Sequence, residues 1–352
     1  MKKILLSLSG LFALVVSLVS CVQRDTDRYF NFKGYAQGGE YSVTINLKGV
    51  DTPVETIRDS VQAILDQIDV TLSGYNKKSL LSRFNAGEDI VPNKLFMDTY
   101  DLGYRIYTET GGVVDVASAP LFDLWGFGFK SGRVPSDDDV DSARVNSGLR
   151  RCYATSREFS GPTINAADLL IERADVLPQL NYNAIAQGYS CDLVAEYLYS
   201  IGVKDMLVNI GEIYCDGKNP QGKPWRLGID RPVDGNNESG AELQAIFKVP
   251  AGPHGVVTSG NYRKFYIKDG KKYSHTIDPR TGYPVDHSLL SATIIAPDAM
   301  TADAYATYCM VIGLEESKTF LSGRKDMEAC LIYDEDGEFK TWCTPGFVLE
   351  EQ

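Results

Sequence analysis

The feature that most restricts the fold is a succession of short apolar runs in the second half of the chain. Residues 206–210, 225–229, 247–249, 255–257, 265–267 and 290–296 form the series, and 331–333 closes it. Each is bounded by turn residues and rich in β-branched or aromatic side chains, so each reads as a strand. They follow one another in the manner of antiparallel neighbours. Upstream, residues 29–47 alternate as a strand does, most clearly in Tyr41-Ser42-Val43-Thr44-Ile45. Pro53 then opens a helix in which Val54, Ile57, Val61, Ile64, Leu65 and Ile68 recur at helical spacing. A short helical turn is expected over 79–84. A longer helix starts at Pro92 and runs to about residue 108, with Gly111-Gly112 as its stop. Two more are expected over 188–201 and 301–313. Antiparallel strand runs interrupted by helices predict the α+β class, with helices packed on an antiparallel sheet. Turn-rich segments such as 231–241 read as loops within a single domain, and no tandem repeat is evident.

The first twenty residues stand apart from that fold. Lys2 and Lys3 precede an almost unbroken apolar run over 4–19, and Leu18-Val19-Ser20-Cys21 closes it. A charged start, a short apolar core and a small-residue cleavage site mark a secretory signal. A cysteine directly after the cleavage site is the bacterial lipoprotein pattern, in which Cys21 becomes the acylated N-terminus. The alternative is an uncleaved anchor, since a spanning helix needs about 20 apolar residues. Either reading puts the body of the chain outside the cytoplasm on a membrane, and the expected side is the periplasm. The expected division is a signal over 1–20, a tether over 21–28 and one domain over 29–350.

A net charge of −12 repels phosphate backbones and argues against nucleic acid as a partner. Beyond Cys21 there are six cysteines: Cys152, Cys191, Cys215, Cys309, Cys330 and Cys343. None pair at CxxC spacing, which disfavours a thiolate zinc site. Cys191 and Cys309 fall on apolar helical faces and read as small core residues. No disulfide connectivity follows from the spacing.

Four segments carry chemistry. In Thr301-Ala302-Asp303-Ala304-Tyr305-Ala306-Thr307, Asp303 and Thr307 lie four apart and share a helix face. That pair of oxygen donors suits a hard cation such as Mg²⁺; the bland alternative is an acid near a helix N-terminus favoured by the dipole. In the segment 275–282, His275 offers a general base that titrates near neutrality, and Asp278 either orients it or holds the loop. An Asp-Pro turn with a hydrogen-bonded histidine explains the same residues. Only three histidines exist, His254, His275 and His287, which argues against a multi-histidine metal centre. Val257-Thr258-Ser259-Gly260-Asn261-Tyr262 permits close backbone approach to a pyrophosphate, or is an ordinary hairpin turn. Asn183-Ala184-Ile185-Ala186-Gln187-Gly188 enters a helix, where N–H groups face an anion and the Ala184 carbonyl reaches a cation, or it is a plain helix entry. No GxSxG elbow for a serine hydrolase is found.

Taken in order, these segments resemble the FAD:protein FMN transferases of the ApbE family, over nearly all of the body. Leu72-Ser73-Gly74-Tyr75 with Ser79 and Arg83-Phe84-Asn85 is similar to the family's LSxY…S…RxN stretch. The run from Thr110-Gly111-Gly112 through Leu124-Trp125-Gly126-Phe127-Gly128 resembles its TGGxxDxxxxPL…LWGFG stretch. Thr258 to Tyr262, His275 to Gly282 and Ala302 to Thr307 resemble its TSGNY, HxxDPxTG and ADxxAT motifs. The resemblance implies a T-fold-like antiparallel sheet with packed helices. It implies Mg²⁺-dependent transfer of FMN from FAD to a Thr or Ser hydroxyl of an exported redox protein, with release of AMP. The rivals are an FAD pyrophosphatase and a non-catalytic flavin-binding lipoprotein. By the same resemblance Tyr75, Val113, Val114, Asp115, Asn181, Gln187, Thr258, Ser259 and Ile277 hold the dinucleotide. Asp303 and Thr307, with the carbonyls of Ala184 and Ala306, hold the metal, and His275 activates the acceptor hydroxyl. The chain departs from the family pattern at Gln37-Gly38-Gly39, at Asn181, at Gln187 and at Asn209-Ile210-Gly211-Glu212, where a second glycine is usual. That missing glycine predicts an altered turn near the site.

Overall fold

The computed structural model describes residues 26–128, 134–156, 159, 161–172, 174–236 and 240–350. The expected signal, Cys21, most of the tether and residues 237–239 of the 231–241 loop lie outside the described residues. The chain opens with a hairpin of β1 (Tyr29–Ala36) and β2 (Gly39–Asn46), followed by α1 (Val54–Leu72), α2 (Leu80–Asn85) and α3 (Lys94–Glu109). Two short helices, α4 (Ala119–Leu124) and α5 (Asp137–Val145), precede α6 (Ala186–Ser200). Next come β3 (Met206–Asn209), β4 (Ile213–Asp216), β5 (Arg226–Asp230), β6 (Leu243–Lys248) and β7 (His254–Gly260). A run of short strands follows: β8 (Phe265–Lys268), β9 (Lys271–Ser274), β10 (Ile277–Asp278) and β11 (Tyr283–Pro284). The chain ends with β12 (Leu289–Ala296), α7 (Ala299–Ile312), α8 (Leu314–Ser322), β13 (Glu328–Glu335) and β14 (Glu338–Cys343).

The α+β expectation holds. Eight strands form one sheet in the order β1-β2-β3-β4-β7-β12-β13-β14, antiparallel at every junction. The single strand expected over 29–47 is two strands. Gln37 and Gly38 both take positive φ, 52° and 83°, which is what a two-residue hairpin turn requires. Strands β4 and β14 and helices α5 and α8 were not anticipated.

Alternation along the central strands decides where the core sits. Val257, Ile294 and Leu331 point to the face covered by α7. Their neighbours Val256, Ile295, Cys330 and Ile332 point to the opposite face, packing with Trp225, Ile229 and Phe247 around the β5–β6 ribbon. A sheet covered on both faces explains why β12 is buried along most of its length. The larger cluster joins Val43, Ile45 and Val208 of the sheet to Ile57, Val61 and Leu65 of α1 and Val194 and Leu198 of α6. Helix α7 lies between α6 and the sheet and is buried nearly all round, the expected place for a helix without a polar face. Asp303 is its only charged residue.

Candidate active site

Two glycines let α7 come this close. A Cβ on Gly188 of α6 would lie 2.3 Å from the Ala299 carbonyl oxygen, and one on Gly255 of β7 would lie 2.2 Å from Ala299 Cα. The first turn of α7 has its N–H groups answered by two acids. Asp298 caps Thr301 N at 2.7 Å, and Asp192 of α6 accepts from Ala299 N at 2.7 Å and Met300 N at 2.9 Å. Capped and wedged in this way, the helix presents Asp303 toward α6.

Asp303 is 4% exposed, and its Oδ2 accepts from Gly188 N at 3.1 Å. In a regular first turn that N–H would return to the Ala184 carbonyl; here it serves Asp303. Glu212, on the β3–β4 connection, is the second acid of the site, with the Thr258 N–H directed at its carboxylate. Burial raises the pKa of both acids. The Asp303 charge raises Glu212 further, against opposition from the Thr258 N–H and Arg263. Two crowded carboxylates are a place where a cation relieves repulsion. Among the described residues, no group of three or more His, Cys, Asp or Glu side chains forms a metal cluster, so any ion here relies on carbonyl and hydroxyl oxygens as well.

The departures from the family pattern gather around this pair. Gln187 Nε2 donates to the Ile210 carbonyl at 3.3 Å, beside Gly211, whose φ is 96°. One glycine suffices for the turn that ends in Glu212: Gly211 N donates to Asn209 Oδ1 at 3.1 Å, and Ile210 before it buries its side chain in the helix-side core. Gln37 Nε2 donates to Ser190 Oγ at 2.5 Å and seats the β1–β2 turn on α6.

His275 follows β9 and is half-buried. Its Nδ1 faces the Lys264 carbonyl at 3.1 Å, and since a carbonyl only accepts, Nδ1 carries the proton and Nε2 is left as an acceptor. Burial, and then the Lys264 charge, lower its pKa to about 4, so the ring is neutral at pH 7. The Phe127 ring meets it edge-on at 6.4 Å. Asp278 does not orient the histidine. Its carboxylate takes the Arg280 backbone N–H at 2.8 Å and the Arg280 guanidinium at 2.8 Å, while its carbonyl accepts Gly282 N at 2.7 Å. Of the two roles open to it in the sequence, it has the loop-holding one. Ile277 is buried against Leu121, Trp125 and Val140.

The remaining expected residues fall into a third group. Val113 and Val114 bury their side chains, leaving backbone as what they offer a ligand. The Asp115 carboxylate accepts from Ala117 N at 2.9 Å and Leu149 N at 3.1 Å, and burial raises its pKa to about 6. It ties two loops together. Asn181 N donates to the Val116 carbonyl at 2.7 Å, and Asn85 clamps the adjacent Leu180 through both its N–H and its carbonyl at 2.8 Å. Thr258 Oγ1 pairs with Thr293 Oγ1 at 2.9 Å, and Ser259 follows it on β7. Tyr75 is 64% exposed between α1 and α2. Thr307 is half-buried one turn beyond Asp303, whereas the Ala306 carbonyl lies within α7 and has only a second lone pair to give. Gly188 is thus bonded to Asp303 and Thr258 to Glu212, the two acids act on each other electrostatically, and Gln187 reaches the Ile210 carbonyl two residues before Glu212. Glu212 was missing from the sequence-based site; its signal was the acid that ends Asn209-Ile210-Gly211-Glu212.

The sequence model of the ApbE family matches residues 38–331. The FAD:protein FMN transferase of Escherichia coli (strain K12) is 34% identical over 311 residues, spanning 86% of this chain and 84% of its own length. That of Vibrio cholerae (Classical Ogawa 395) is 31% identical over 326 residues, spanning 89% and 91%. Among solved structures, the apo flavinyl transferase ApbE of Pseudomonas stutzeri superposes with a TM-score of 0.76 at 32% identity, covering 91% of this chain and 95% of that one.

Proposed function

The chain belongs to the ApbE family, and on that premise we propose that it transfers FMN from FAD to a threonine or serine hydroxyl of an exported redox protein, with Mg²⁺ bound and AMP released. The observation that carries the reading is the Gly188–Asp303 bond, which holds a buried carboxylate at the first turn of α6. Asp303, the Thr307 hydroxyl and the carbonyls of Ala184 and Ala306 make a hard, all-oxygen donor set that fits Mg²⁺, and Glu212 adds a second negative charge. When bound, the ion neutralises pyrophosphate oxygens that otherwise repel a nucleophile.

The chain's own residues supply the rest. Nε2 of neutral His275 accepts the proton of the acceptor hydroxyl as its oxygen bonds to the FMN phosphorus and the bond to the AMP oxygen breaks. The Lys264 carbonyl fixes the tautomer that makes this possible. Tyr75, Asn181, Gln187, Thr258, Ser259, Ile277 and the 113–115 backbone hold the dinucleotide. The proposal includes export and anchoring through acylated Cys21, supported by the charged start, apolar run and cysteine of residues 1–21.

The test is mass spectrometry of a candidate acceptor after incubation with the enzyme, FAD and Mg²⁺. The expected product carries FMN on one hydroxyl side chain, with one AMP formed per acceptor. An unmodified acceptor with rapid AMP release identifies a pyrophosphatase instead, and FAD bound without AMP identifies a flavin carrier.

A further inference from the structure

The C-terminal hairpin places two cysteines face to face. Strands β13 and β14 are joined by Asp336 and Gly337, both at positive φ, 55° and 84°, as in a two-residue turn of the mirror-image type. In such a hairpin the residues flanking the turn form a hydrogen-bonded pair, and pairs alternate from there. Glu335↔Glu338 is therefore hydrogen-bonded, and counting along the register Cys330↔Cys343 falls on a non-hydrogen-bonded position. The next pair checks the count: Thr344 N donates to the Ala329 carbonyl at 2.9 Å, as the alternation requires.

Non-hydrogen-bonded positions bring Cα atoms to about 4.5 Å and side chains closer than at the other positions, within the separation a disulfide spans. Both side chains belong to the cluster on the β5–β6 face of the sheet. Cys330 is buried and Cys343 half-buried, so solvent reaches the pair from the Cys343 side. The proximity of the two thiols lowers the Cys343 pKa and raises that of Cys330.

We propose that Cys330 and Cys343 are a modification site, a dithiol that a disulfide-bearing thiol oxidant converts to a cross-strand disulfide. The Cys343 thiolate attacks one sulfur of the oxidant and expels one thiol, leaving a mixed disulfide. Cys330 then attacks the Cys343 sulfur and expels the second thiol. Two electrons pass to the oxidant, and the two protein thiol protons end on its two sulfurs. The product staples β14, the last strand of the sheet, to β13. An exported chain meets such oxidants in its own compartment.

The test uses the full chain treated with glutathione disulfide, then denatured, alkylated and digested for mass spectrometry. The expected result is a linked peptide pair joining Cys330 to Cys343, lighter than the sum of the reduced peptides by two hydrogens, with Cys152 and Cys309 alkylated. Alkylation of Cys330 and Cys343 as complete as that of Cys152 and Cys309 overturns the proposal. Two variants test the order of attack. Cys330→Ala should stop at a glutathione adduct on Cys343, and Cys343→Ala should carry none on Cys330. The reverse pattern overturns the assigned roles.

Discussion

Gly188 and Asp303 are joined by one hydrogen bond, from the backbone N–H of α6 to the carboxylate of α7 at 3.1 Å. The absence of a side chain on Gly188 makes that bond possible, because a Cβ there would sit 2.3 Å from one backbone atom of Ala299 and 2.6 Å from another. Helix spacing and carboxylate placement are thus one structural fact.

Gly188→Ala should cost both stability and activity. The atoms in the way are backbone, which no rotamer change can move, so α6 and α7 must separate. Overpacking of this kind costs about 1–3 kcal/mol. Urea unfolding should show a lower midpoint, and flavin transfer should fall with it. A variant with an unchanged midpoint would refute the close-packing account.

Asp303→Asn separates charge from packing. The amide oxygen still accepts from Gly188 N, and the volume is conserved. With one of two crowded acids neutralised, the variant should unfold no more easily than the parent protein without Mg²⁺. Transfer should fall by about a hundredfold or more, the scale of an electrostatic contact made in the transition state. Retained turnover in a folded variant removes Asp303 from the site.

Much of this site was legible because its parts are local. Asp303 and Thr307 share a face by helical spacing alone, and α1 follows its apolar repeat from Ile57 to Ile68. What stayed hidden depends on contacts between distant segments. Glu212 gains its meaning only from Asp303, which folding brings to it from another element. The partner of His275 is the Lys264 carbonyl, and a backbone atom leaves no mark in a sequence. The break at Gln37 was missed because a glutamine at φ 52° lacks the Asn-Gly signature of such turns. Strand β14 was missed because Glu338-Phe339-Lys340-Thr341-Trp342-Cys343 is half polar, as an edge strand of a sheet is apt to be.

His275 should titrate far below an ordinary histidine. Its folded pKa is lowered to about 4, against about 6.5 in an unfolded chain. Between those values the unfolded chain binds more protons, so this group's contribution to stability is intact above about pH 6.5 and is lost as pH falls toward 4. The acid limb of the transfer rate should likewise lie well below pH 6.5. Ring-proton NMR checks this directly, and a midpoint near 6.5 would contradict the burial that holds the ring neutral.

Asp192 should matter to the site without touching it. Its two oxygens take the N–H groups of Ala299 and Met300, so Asp192→Ala strands two donors at the buried start of α7. An unanswered buried donor costs about 1–3 kcal/mol. Asp192→Asn keeps one acceptor and should lose less, which distinguishes capping from bulk. Burial, with Asp298 and Asp303 adding to it, raises the Asp192 pKa to about 7, against about 3.9 unfolded. The folded protein therefore holds the extra proton between those values, and this group's contribution falls as pH rises through that window. Thermal melts of the parent protein and both variants, at pH 5 and pH 8, separate the two effects. The difference between parent and Asp192→Ala should be larger at pH 5, unless the carboxylate is ionised throughout, in which case the two differences will match.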